Sequence, residues 1–116
     1  MAYMKSKGIP AERVQIVALI HPESYDFLRD KCRAEGTQMN LILECFMRQY
    51  ASGMRIQMTK KRTGAGIQMG TTIHKNVADA FKQECRNEGN SVRHVLESFI
   101  ALYNEGKYEL ALRKRK

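Results

Sequence analysis

CRNEGNS, residues 85–91, repeats the pattern of CRAEGTQ, residues 32–38, at an offset of 53 positions. The offset holds in both directions along the chain. Gln15 falls on Gln68, Ile20 on Ile73, His21 on His74 and Asp26 on Asp79. Further on, Leu43 falls on Leu96, Glu44 on Glu97, Phe46 on Phe99, Tyr50 on Tyr103 and Gly53 on Gly106. Roughly a third of about 40 aligned positions are identical and most others exchange like for like, the mark of one structural unit used twice. The 116 residues then divide into repeat one at 13–53, a basic linker at 54–65, repeat two at 66–106 and a basic tail at 107–116. A unit of about 45 residues buries too little apolar surface to stand alone. The two repeats are therefore expected to share one core in a single domain spanning 1–116, a one-chain imitation of a dimer.

Each repeat opens on a short apolar, β-branched segment, RVQIVALI (13–20) or GIQMGTTI (66–73), too short for a helix and expected as a strand. A helix follows. Pro22 stands in its opening turn, where a missing N–H costs nothing, with Glu23 and Asp26 at the favourable end of the dipole. This helix is expected to reach about Arg33, or Arg86 in the second copy. Its inward stripes would be Tyr25, Leu28 and Cys32, matched by Ala78, Phe81 and Cys85. Gly36 and Gly89 end it, since glycine accepts the left-handed conformation a helix terminus often needs.

The second helix carries Met39, Ile42, Leu43, Phe46, Met47 and Tyr50, matched by Val92, Val95, Leu96, Phe99, Ile100 and Tyr103. That spacing is one continuous apolar face of a 3.6-residue helix, committed to a core. Gly53 and Gly106 close it. A lone strand cannot satisfy its backbone. Antiparallel pairing of the two strands solves this and sets all four helices beneath one face. The fold class is thus mainly α with a short two-stranded antiparallel β-ribbon. The linker reaches roughly 40 Å when extended, enough to return the chain to the partner strand.

The alternating strand, the helix start at His74-Lys75-Asn76, and above all EGNSVRHVLESF (88–99) resemble the ribbon-helix-helix superfamily of DNA-binding proteins, the group of the Arc and MetJ repressors. The resemblance covers nearly the whole chain, counted twice. Two units in one chain is similar to the tandem form found among accessory proteins of conjugative DNA transfer. It implies that the ribbon enters the major groove and that outward side chains read base edges.

Strand alternation puts Ile16, Ala18, Ile20, Met69, Thr71 and Ile73 on one face, the more apolar and so the inner one. Arg13, Gln15, Val17, Leu19, Gln68, Gly70 and Thr72 occupy the other and become the base-reading set. Gln15 and Gln68 stand at equivalent positions, and glutamine can both donate to and accept from adenine. Thr72 would bond a base or a phosphate. Val17 and Leu19 depart from the polar residues usual in the family, and two readings stay open: contact with thymine methyls, or a place in a protein contact or an asymmetric core.

Phosphate contacts are expected at the amino ends of the second helices, where free N–H groups and the dipole form an anion site. These are Thr37, Gln38 and Asn40 in the first copy, and Asn90, Ser91 and Arg93 in the second. Neither opening turn holds an acidic residue. Lys60, Lys61 and Arg62 in the linker are expected along the phosphate backbone. Arg113 to Lys116 would either do the same or simply keep the chain soluble.

The formal charge of +8 and sequence pI of about 9.6 favour a polyanionic partner, with nucleic acid ahead of a membrane surface. Three cysteines without a C-x-x-C pattern argue against a disulfide framework and against zinc. His21 and His74 lack ligand spacing and are expected to cap helices; His94 is expected to be exposed. MAYMKSKGIPAERV (1–14) holds no apolar h-region, so neither a signal peptide nor a membrane span is expected.

No phosphate loop, paired-carboxylate pocket or nucleophile elbow points to an enzyme. No cofactor, metal or small-molecule substrate is expected. The leading expectation is a sequence-selective binder of double-stranded DNA in the cytoplasm of a bacterial, archaeal or phage-infected cell. It would be a repressor-type transcriptional regulator or an accessory factor of a mobile element, with side-by-side self-association on DNA. The alternative is a protein-interaction module such as an antitoxin. About ten basic-ended residues after Gly106 fit the long partner-wrapping tail of antitoxins poorly.

Overall fold

A computed structural model describes residues 12–59 and 66–107, together with the backbone of Arg113–Lys114. It is mainly helical with a two-stranded antiparallel sheet. In chain order the elements are β1 (Arg13–Ile20), α1 (Pro22–Ala34), α2 (Met39–Ala51), β2 (Met54–Arg55), β3 (Ile67–His74), α3 (Lys75–Asn87), α4 (Val92–Asn104) and β4 (Arg113–Lys114). β1 has the bounds expected from its sequence; β3 begins and ends one residue later than expected.

β1 and β3 pair antiparallel, from Arg13 opposite His74 to Ile20 opposite Ile67. Val17 lies opposite Gly70, its own 53-offset equivalent, so the centre of the pairing falls between these two residues. Alternation then sorts the ribbon. Ile16, Ala18, Ile20, Met69, Thr71 and Ile73 are all buried, the face expected to point inward.

The repeated CRxEG stretch is a pair of matching helix ends. The Thr37 amide donates to the Cys32 carbonyl and the Gly36 amide to that of Arg33; Asn90 and Gly89 do the same to Cys85 and Arg86. These are paired bonds of the kind that satisfy the last carbonyls of a helix, and they need a left-handed residue in the middle. Gly36 and Gly89 supply it at φ 71° and 72°.

The apolar stripes meet in one hydrophobic cluster containing Leu28, Cys32, Leu43, Phe46, Met47 and Tyr50 with Ala78, Phe81, Cys85, Val95, Leu96, Phe99 and Ile100. Tyr25, Met39, Ile42, Val92 and Tyr103 pack against its edge, partly buried. At its middle, the equivalent rings of Phe46 and Phe99 stack on each other with centroids 4.0 Å apart. Phe81 meets Phe46 edge-on at 6.1 Å. Burial pushes the Cys85 thiol up to about 12, so both the packing and the protonation suit a small apolar side chain.

Polar contacts also run between the halves. The Tyr103 hydroxyl at the end of α4 donates to Glu35 in the α1–α2 turn, and Asn104 Nδ2 donates to the Ser24 carbonyl at 3.3 Å. Arg55 of β2 lies 2.8 Å from Glu84 and 3.3 Å from Glu88 while covering the Tyr50 ring. No helix among the described residues is long and apolar enough to cross a membrane, and no group of three His, Cys, Asp or Glu among them could hold a metal ion.

Three details differ from the sequence expectation. His21 and His74 do occupy the N-cap positions of α1 and α3, but neither side chain makes a capping bond. The Nδ1 of His21 is instead buried without a hydrogen-bond partner. His94 is half-buried rather than exposed, because the Ile56–Thr59 segment lies against α4. The C-terminal Arg113–Lys114 backbone pairs with β2.

Candidate nucleic-acid interface

The outer face of the ribbon holds Arg13, Gln15, Val17, Leu19, Gln68, Gly70 and Thr72, and all seven are exposed. Val17 keeps 51% of its surface and Leu19 keeps 41%. The cross-strand neighbours are Gln15 with Thr72, Val17 with Gly70, and Leu19 with Gln68. The central six therefore form a strip two residues wide and three deep, uncharged throughout. The Gln15 side chain lies over Gly70, so closely that a β-carbon there would meet its Nε2 at 2.6 Å.

Arg13 is tied to the rim rather than standing out from the strip. Its Nη2 donates to Glu44 at 3.1 Å and to the Thr72 carbonyl at 3.0 Å. Glu44, on α2, also accepts from Arg48 at 3.1 Å and from the His74 amide at 3.4 Å. Burial pushes its carboxyl up, but the His74 amide and the Arg13 and Arg48 guanidiniums together outweigh that and hold it below its ordinary value of 4.5. One carboxylate thus clamps both strands to α2. Sequence reasoning missed this role: the identity of Glu44 and Glu97 was visible, but nothing local announced that Arg13 and His74 would converge there.

The second helices start beside the ribbon. Thr71 Oγ1, on the inner face of β3, donates to Asn40 Oδ1 in the first turn of α2 at 2.8 Å. Gln38, the N-cap, is exposed and makes no side-chain cap; Thr37 is half-buried. On α4, Ser91 Oγ accepts from the His94 amide at 3.1 Å. Asn90 is half-buried, and Arg93 reaches Glu97 at 3.5 Å with its Nη2 buried and unpaired. Neither helix has an acid in its first turn. In α2 the Leu41 amide is taken by the Gln38 carbonyl at 3.1 Å, which leaves the Met39 and Asn40 amides for an anion; in α4 the matching His94 amide is taken by Ser91.

Lys60, Lys61 and Arg62 lie outside the described residues, as do the side chains of Arg113 to Lys116. The segment just before them is anchored. The Thr59 amide donates to Ser98 Oγ at 2.9 Å, and His94 Nε2 donates to the Thr59 carbonyl at 2.7 Å. The linker therefore enters its basic run from the α4 side of the molecule. Residues 12–59 and 66–107 contain eleven Lys/Arg and eleven Asp/Glu, so the formal +8 belongs wholly to the remaining segments.

No family model, curated protein or solved structure matches this chain.

Proposed function

We propose that the chain is a tandem ribbon-helix-helix protein, a single-chain pseudo-dimer of two repeats around one core, that binds double-stranded DNA and catalyses nothing. The β1–β3 ribbon lies in the major groove with Gln15, Gln68 and Thr72 hydrogen-bonding base edges. One observation carries this proposal: Arg13, Gln15, Val17, Leu19, Gln68, Gly70 and Thr72 on the outward side of the paired ribbon are exposed, while Ile16, Ala18, Ile20, Met69, Thr71 and Ile73 on the inward side are buried. Further support comes from the hydrophobic cluster, which draws on both halves, and from the α2 start bonded to β3 through Asn40 and Thr71. That contact sets first-turn amides beside the ribbon, where backbone phosphates would run.

A neutral body with basic segments divides the labour of binding. The ribbon supplies choice of sequence, and Lys60, Lys61 and Arg62 supply salt-sensitive affinity. The biological setting is repression of transcription or the marking of a site on a mobile element, in the cytoplasm, with neighbouring molecules side by side on the duplex. The exposure of Val17 and Leu19 favours a second reading, a protein-binding face of antitoxin type.

Selection from a random duplex pool at stated salt distinguishes the two. Enrichment of one motif is expected; a pool that stays random sinks the DNA reading and favours the protein-binding one. Gln68→Ala should then cost about 1–3 kcal/mol of preference at one base position. Lys60→Ala should weaken all sequences alike and flatten the salt dependence.

A further inference from the structure

The two ends of the ribbon's outer face are unlike each other. Exchange of the halves about the Val17–Gly70 centre maps Gln15 onto Gln68, Thr72 onto Leu19, and Gly70 onto Val17. One end therefore presents Gln15 beside Thr72, with hydrogen-bonding groups on both strands. The other presents Gln68 beside Leu19, with hydrogen-bonding groups on one strand and an exposed apolar side chain on the other.

The centre sharpens the contrast. Gln15 lies over Gly70 because that position has no β-carbon. The matching pose for Gln68 would bring it onto Val17, whose side chain fills the equivalent space and is half exposed. The two glutamines accordingly have different surroundings. Gln15 leans across the centre of the strip, and Gln68 is flanked by Val17 and Leu19. In a major groove, apolar side chains complement thymine methyl groups, and a Gln–Thr pair complements base-edge donors and acceptors.

Resting on the DNA-binding role proposed above, we infer that the chain reads a non-palindromic site in a single orientation. Gln15 and Thr72 engage one half of the site. Val17, Leu19 and Gln68 engage the other, which carries thymine methyls at the positions under Leu19. A symmetric core thus presents a reading surface with direction, so a bound molecule distinguishes the two ways along the duplex.

The test uses the full chain and the motif enriched from a random duplex pool. Two palindromes are made, each from one half of the motif taken twice, and compared with the parent by titration at fixed salt. Both should bind about tenfold or more weakly. Replacing thymine by uracil, which lacks the methyl, should weaken binding in one half only. Gly70→Val combined with Thr72→Leu makes the central six residues alike in the two halves and should shift preference to one palindrome. A β-carbon at Gly70 meets only the mobile tip of Gln15, so this variant should fold. An enriched palindrome, or equal affinity for the parent and either symmetrised duplex, overturns the inference and leaves DNA binding standing. A pool without enrichment removes both.

Discussion

α2 and α4 carry the same core and different rims. Leu43 and Leu96, Phe46 and Phe99, Tyr50 and Tyr103 are identical in pairs, and all face the interior or its edge. On the opposite flank the pairs diverge. Leu41 and Cys45 of α2 are exposed, while His94 and Ser98 of α4 lie beneath Thr59 and bond to it. The linker that joins the halves is the reason. It crosses the flank of α4, so that helix needs polar groups to satisfy the crossing backbone. Identity between the halves follows shared burial, and difference follows what passes over the surface.

The comparison is broken most severely at the stacked rings. Phe46→Ala and Phe99→Ala should each cost about 3–5 kcal/mol in urea unfolding, because each empties the same central space. Both should unfold in one transition. A variant that loses only half its helical signal while the rest melts at the original midpoint would mean that the halves stand separately.

The flanks should show the next largest difference. Ser98→Ala strands the Thr59 amide and should cost about 1–2 kcal/mol, while Cys45→Ala at the equivalent position should stay within about 0.5 kcal/mol. Equal effects would remove the linker as the source of asymmetry. The helix starts follow. Ser91→Ala should cost about 1 kcal/mol through the lost cap, and Gln38→Ala should change almost nothing, as measured by thermal unfolding of both.

Smallest of all, present at neutral pH and lost in acid, is the effect of the clamp at Glu44. Its carboxyl is held below 4.5, so the stability it contributes is complete above that pH and is lost as pH falls through the lower folded value. Glu44→Gln should therefore be less stable than the parent at neutral pH and should converge toward it below pH 4.5. A constant gap across the acid range would show that the carboxylate charge plays no part.

Much of the architecture was legible because it is periodic. The 3.6-residue stripes in α2 and α4 and the two-residue alternation in β1 and β3 each name the buried face directly. The 53-residue offset doubled every signal, and the repeated CRxEG marked both helix ends. The outer face of the ribbon was legible for the same reason, since fixing the inner face fixes the outer one. Contacts made between segments far apart were not legible. Arg13 reaches Glu44 across 31 residues, and Thr59 reaches Ser98 across 39. His94 looked like a surface position because nothing in its own helix reveals that a linker lies over it.

From the sequence alone came the strands, the helices with their glycine ends, and the division of residues between interior and exterior, since these depend on local spacing and residue type. Only the tertiary structure decided the register. Pairing Val17 with Gly70 places Gln15 beside Thr72 and Leu19 beside Gln68. Register is a relation between distant segments, set by how two apolar faces fit over shared helices, and a shift of one residue would have turned each inward side chain outward.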